Sequence, residues 1–90
     1  MNKSTEDYSV YMVLCGDNTL YTGIAADVER RIRVHNSGQG AKYTRSRLPV
    51  RLVYKEEGLT KSEALKREIA IKKLTRKEKE ALIQGSGQGL

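Results

Sequence analysis

Ninety residues carrying 17 Lys and Arg, 11 Asp and Glu, one His and one Cys, for a net charge of +6, make one small basic domain, since single domains commonly run to about 100–150 residues. That size excludes a two-domain enzyme, and because such a chain buries only about 60–65% of its unfolded surface, a deep cofactor cavity is not expected. The longest uninterrupted apolar run, Val10–Cys15, is far short of the roughly 20 residues of a membrane-spanning helix, and no signal peptide opens the chain, so a soluble, cytoplasmic protein with no membrane partner is expected.

Met1–Asp7 is polar and aperiodic and reads as a flexible N-terminus. Tyr8–Cys15 is rich in aromatic and β-branched residues, and Gly16-Asp17-Asn18-Thr19 supplies a turn before Leu20–Ile24, which predicts a hairpin. Cys15, without a partner for an internal disulfide, reads as a reduced buried thiol. Asp27 stands where an N-cap belongs, and Val28 and Ile32 at i, i+4 give a helix over 28–36 its inner stripe. Residues 37–49 mix glycines, a proline and cations and read as a surface loop, and a strand resumes over Val50–Glu56. Thr60-Lys61-Ser62-Glu63 and Thr75-Arg76-Lys77-Glu78 each match the S/T-x-x-E capping box and start two helices. Residues 85–90 read as a flexible tail, which leaves the domain as 8–84.

The order strand, strand, helix, strand, helix, helix predicts a small α+β domain with a mostly antiparallel sheet covered by helices. From Arg30 to Lys55 there are eight Lys and Arg and no Asp or Glu, which suits a polyanion, because a solubilising face would intersperse both signs. A basic amphipathic membrane helix would want large apolar anchors, and Phe and Trp are absent. Neither G-x-G-x-x-G nor G-x-x-x-x-G-K-[ST] occurs, which argues against nucleotide hydrolysis.

Arg31 and His35 lie four apart on the first predicted helix, with Tyr21 just upstream, so guanidinium, imidazole and phenol can converge on a phosphate. Equally, Arg31 can pair with Asp27 and His35 can cap the helix end. On the third helix, counting about 100° per residue from Ala64, Glu68 falls at about 40°, Leu65 at about 100°, Ile69 at about 140° and Ile71 at about 340°. A carboxylate in that apolar arc faces the sheet and must pair, most simply with Lys72, or bind a cation. One carboxylate does not make a two-metal site, but it suits a single hard cation that keeps water and phosphate in its shell. Tyr11 and Tyr21 share a face if the hairpin loop is odd and are separated by a two-residue loop. Tyr43, between Lys42 and Arg45, either stacks on a base or covers the sheet edge.

Val10-Tyr11-Met12, Tyr21-Thr22-Gly23 and Asp27–Asn36 together resemble the GIY-YIG endonuclease domain over about Tyr8 to Ile83. Gly40-Ala41-Lys42-Tyr43-Thr44-Arg45 and Ser62-Glu63-Ala64-Leu65, with Glu68 and Lys72, are most similar to its small stand-alone YhbQ-like branch. Ser9 stands in place of the first motif's glycine, Met12 follows its tyrosine, and Ala25 stands where Thr or Ser is frequent. The resemblance implies a three-stranded antiparallel sheet flanked by helices, both phenols on one face, and an endonuclease using Mg²⁺ or Mn²⁺, with DNA as partner and repair as the kind of setting. It assigns Tyr11, Tyr21, Arg31, His35 and Glu68 to catalysis, with Glu68 as the metal ligand; Arg30, Lys42, Tyr43, Thr44, Arg45, Arg47 and Lys72 are expected to contact the nucleic acid.

The expected mechanism is attack by a water that a tyrosine deprotonates, its pKa depressed by Arg31 and metal, while Arg31 neutralises transition-state charge and His35 holds a phosphate or assists proton movement. Which tyrosine serves is open. Two other readings stand beside it: a nucleic-acid-binding module that keeps the scaffold without turnover, and an adaptor whose basic patch meets an acidic protein.

Overall fold

The computed structural model describes residues 7–87, with side chains through residue 85. Residues 1–6 and 88–90, parts of the two expected flexible ends, lie outside the described residues. The elements run β1 Tyr8–Leu14, β2 Leu20–Ala25, α1 Val28–Val34, α2 Lys42–Arg45, β3 Arg51–Leu59, α3 Lys61–Lys72 and α4 Arg76–Gly87. The strands form one antiparallel sheet in the order β2-β1-β3, so the α+β expectation holds, with one short helix, α2, inside what reads in the sequence as a loop. β3 runs three residues beyond its expected end at Glu56, and α4 continues through Gly87.

β1 is central and carries no solvated face: Val10, Tyr11, Met12 and Val13 are all buried. Alternation sends Tyr11, Val13 and Cys15 to one side, where α1 contributes Val28 and Ile32, and Val10 and Met12 to the other, where α3 and α4 contribute Ile71, Leu82 and Ile83. A sheet covered on both faces explains the continuous apolar run of β1.

The helix starts behave as their residues dictate. Asp27 accepts a hydrogen bond from the Arg30 amide at 3.1 Å, and Thr60 with Glu63 and Thr75 with Glu78 close reciprocal capping boxes. α1 stops at Val34 rather than Asn36 and widens into a π-type turn over His35–Gln39. Asn36 then bridges to Val50, the residue before β3, accepting from its amide at 2.7 Å and donating to its carbonyl at 3.0 Å, as a neighbouring strand would. That clamp fixes the end of α1 against the sheet.

The inward face of α3 differs from expectation. Leu65 and Ile69 are 41% and 55% exposed, and the stripe that packs is Ala64 and Ile71, both fully buried. The helix approaches through its small Ala64, so the contact centre lies near Ala64 rather than midway along the larger apolar arc. Glu68 flanks that stripe with 18% of its side chain exposed.

Candidate active site

The β1–β2 register pairs Tyr11 with Gly23 and Val13 with Tyr21, leaving five residues, Cys15–Thr19, in the hairpin loop. Asp17 accepts from the Thr19 amide and hydroxyl within this loop. An odd loop puts Tyr11 and Tyr21 on the same face as diagonal neighbours. Opposite Tyr11 a side chain is impossible without displacement: a Cβ on Gly23 would lie 2.7 Å from the Tyr11 hydroxyl oxygen. The glycine therefore lets the phenol lie flat across the edge strand.

His35 is the centre of the buried polar chain on this face. It is fully buried, its Nε2 is 2.9 Å from the Tyr11 hydroxyl, and its Nδ1 is 2.8 Å from Thr44 Oγ1. The Tyr21 ring meets the imidazole edge-on at 5.5 Å between centroids. The approach of α2 to His35 depends on Gly40, where a Cβ would lie 2.4 Å from Nδ1. Burial, and after it the charge of Arg31, hold the imidazole below its usual pKa of 6.5, so it is neutral near neutral pH. Holding a phosphate directly, one of the two tasks expected of His35, is closed to a fully buried ring; His35 does cap α1, through its backbone N–H to the Arg31 and Ile32 carbonyls, while its side chain turns inward.

Tyr11, only 1% exposed, is pushed up by burial from 10.0 to about 12, with Arg31 opposing the shift and the nearby Tyr21 and Glu68 adding to it. Arg31 by itself does not depress this phenol, because the cost of desolvating a phenolate exceeds what one guanidinium returns. Arg31 does not pair with Asp27, whose carboxylate caps α1 instead. It lines a cleft of about 400 Å³ with Ile24, Ala25, Asp27, Arg30 and Val34. Glu68 is within electrostatic reach of Tyr11 and pairs with Lys72 at 3.1 Å.

The residues assigned to nucleic-acid contact divide. Arg30, Lys42 and Arg45 are exposed. Thr44 is fully buried against His35 and touches no solvent. Tyr43 stacks on Tyr21 at 5.7 Å and carries the Arg47 guanidinium 4.0 Å from its ring centre. Arg47 also donates to the Tyr43 carbonyl and lies 3.0 Å from Asp17 in an ion contact rather than an aligned hydrogen bond. Tyr43, itself 39% exposed, and Arg47 therefore brace α2 against the hairpin. Lys72 is committed to Glu68. Sequence reasoning also missed Gly40 and Asn36 as site-building residues; a glycine just before a short helix and an Asx side chain one residue after the histidine were the available signals.

For a metal, Glu68 is the donor that the fold brings near the phenols, and among the described residues no group of three or more His, Cys, Asp or Glu could hold an ion. A single carboxylate fits a hard divalent cation that takes its other ligands from water and phosphate oxygen, and does not fit a protein-enclosed metal cage.

Two phenols, a guanidinium and a buried imidazole thus gather on one face of a small sheet, with one carboxylate within electrostatic reach. The chain belongs to the GIY-YIG family: the model of the GIY-YIG catalytic domain matches residues 7–81. Membership carries a nuclease-type function and a nucleic-acid substrate in general. A UPF0213 protein of Staphylococcus aureus is 57% identical over 79 residues, covering 88% of this chain and 96% of its own. Two solution NMR structures are similar. One is of a UPF0213 protein of Bacillus halodurans, at TM-score 0.59 and 45% identity over 91% of this chain and 87% of the other. The second, from E. faecalis, has TM-score 0.61 and 42% identity over 100% and 95%. Among the described residues no helix is long and apolar enough to cross a membrane.

Proposed function

We propose that this protein is a metal-dependent endonuclease that hydrolyses phosphodiester bonds in DNA, with Tyr11 as the general base. The observation that carries the reading is the 2.9 Å hydrogen bond between the Tyr11 hydroxyl and His35 Nε2. With a pKa of about 12, roughly one Tyr11 in 10⁵ is ionised at pH 7, so a free phenolate is too scarce to serve. A phenol whose own proton can pass to an imidazole needs no such population. As the attacking water gives a proton to the Tyr11 oxygen, the Tyr11 proton moves to His35 Nε2, and the water oxygen bonds to phosphorus while the leaving oxygen departs. His35 thereby keeps the second task expected of it, proton movement.

Tyr11 is nearly enclosed, so the step requires bound substrate to bring a water against its hydroxyl. Half-buried Tyr21 and Arg31 lie beside it to orient the phosphate, and Arg31 stabilises charge that develops on the non-bridging oxygens. Glu68 would hold Mg²⁺ or Mn²⁺, which supplies Lewis-acid stabilisation of the transition-state charge when bound. Arg30, Lys42 and Arg45 supply backbone contacts whose strength falls with salt.

The Glu68–Lys72 pair favours a second reading, a nucleic-acid-binding module without turnover, since a carboxylate already neutralised by ammonium offers less to a cation. Incubation with single-stranded, duplex and branched DNA, with and without Mg²⁺ or Mn²⁺, separates the two. The nuclease reading expects metal-dependent cutting that Glu68→Ala lowers at least 100-fold. Binding without cutting under every metal tried establishes the module instead.

A further inference from the structure

We infer that Thr44 is a positioning residue: it sets the tautomer of His35, so that Nε2 stays proton-free and faces Tyr11. The inference rests on the nuclease reading for its purpose but not for its geometry. Thr44 Oγ1 donates to the Ala41 carbonyl at 2.9 Å, and a hydroxyl has one proton to give. Toward His35 it can then only accept, which places the imidazole proton on Nδ1 across the 2.8 Å contact and leaves Nε2 as a bare acceptor for the Tyr11 hydroxyl. Every proton in the series Tyr11, His35, Thr44, Ala41 then points the same way.

The opposite tautomer does worse at the Tyr11 end. With the proton on Nε2, Tyr11 becomes the acceptor and its own proton loses its partner, in surroundings where Arg31 offers donors only. At the other end, Thr44 must turn its proton from Ala41 to Nδ1, although the Ala41 carbonyl keeps the Thr44 and Arg45 amides as donors. An unsatisfied buried donor carries a desolvation penalty that the observed arrangement avoids. For catalysis the difference decides the outcome, because an Nε2 that already carries a proton cannot receive one from Tyr11.

Thr44 reaches His35 because α2 is set against the π-type turn, an approach that only the bare Cα of Gly40 permits. A segment of the sequence that reads as a basic nucleic-acid loop thus sends one uncharged side chain inward while Lys42 and Arg45 face out.

The test is long-range ¹H–¹⁵N NMR of the His35 ring, which reports which nitrogen carries the proton without any cleavage assay. In the wild type the expected pattern is a protonated, pyrrole-type Nδ1 and an unprotonated, pyridine-type Nε2. Thr44→Ser should keep that pattern, and Thr44→Val should mix or reverse it and lower kcat at least 10-fold with KM within about twofold. A wild type with the proton on Nε2 overturns the inference even if Thr44→Val does not fold, and so does a folded Thr44→Val with the wild-type ring pattern. Failure of the wild type to cut DNA while showing the expected tautomer removes the nuclease reading and leaves the positioning role of Thr44 standing.

Discussion

Each face of the sheet buries one tyrosine with its pKa pushed from 10.0 to about 12, Tyr11 on the α1 side and Tyr54 on the α3 side. Burial leads in both. Their acceptors differ. The Tyr54 hydroxyl donates to Glu56, and both Glu56 oxygens accept from Arg67 Nε at 2.9 Å, so phenol, carboxylate and guanidinium close on one another and tie β3 to α3. Tyr11 donates to a neutral imidazole with its far nitrogen already held, and of its other neighbours Glu68 pairs with Lys72 while Arg31 and Tyr21 stay half-buried beside it. An elevated tyrosine pKa is therefore no mark of function in itself. What distinguishes the two is whether the acceptor can take the proton and whether the surrounding charges are already spent on each other.

The matched guanidiniums break that comparison most sharply. Arg31→Ala should lower the cleavage rate 100-fold or more, by loss of transition-state stabilisation. Arg67→Ala should leave cleavage within about twofold and cost on the order of 1 kcal/mol of stability, since the pair with Glu56 is only partly shielded from water. Single-turnover kinetics and urea melts of both variants check this.

Next in size is the alkaline limb of stability. Both phenols ionise near pH 10 when unfolded and near 12 when folded, so the unfolded state loses protons first and stability falls as pH rises from 10 to 12. The expected loss is on the order of 2–3 kcal/mol per tyrosine, and Tyr54→Phe should remove about half of the slope in urea melts across that range. On the acid side His35, held below its usual 6.5, makes stability fall as pH drops through the unfolded value, since the unfolded state gains the proton first. Gly40→Ala and Gly23→Ala should each cost about 1–3 kcal/mol, because the added methyl meets His35 or Tyr11 at under 3 Å. Smallest is Lys55→Ala, whose contacts with Glu29 and Glu57 are largely solvated; it should move stability by about 0.5 kcal/mol or less.

Much of the frame is legible in local chemistry. Asp27, Thr60 and Thr75 announce their helices because capping is settled within four residues, and the β-branched and aromatic runs announce the strands. Tyr11, Tyr21, Arg31, His35 and Glu68 are brought to one end of the sheet. What local pattern did not carry is decided by approach between distant segments. His35 turns fully inward because α1 widens after Val34 and Gly40 admits α2 behind the ring, neither of which has a period. Tyr43 and Arg47 are residue types that serve a phosphate or each other equally well, and the five-residue hairpin loop puts Asp17 within reach of Arg47. Leu65 and Ile69 misled because the helical period defines an arc but not which part of it meets the sheet, and small Ala64 allows the closer contact. The Glu56–Arg67 tie spans β3 and α3 and leaves no trace in spacing.

The most direct test of the account is single-turnover cleavage of one DNA substrate, in the same Mg²⁺ buffer, by Tyr11→Phe and Tyr54→Phe. Both changes remove one buried hydroxyl and nothing else. Tyr11→Phe should lose at least 100-fold, and Tyr54→Phe should cut within about twofold of wild type. Equal rates for the two variants would contradict it.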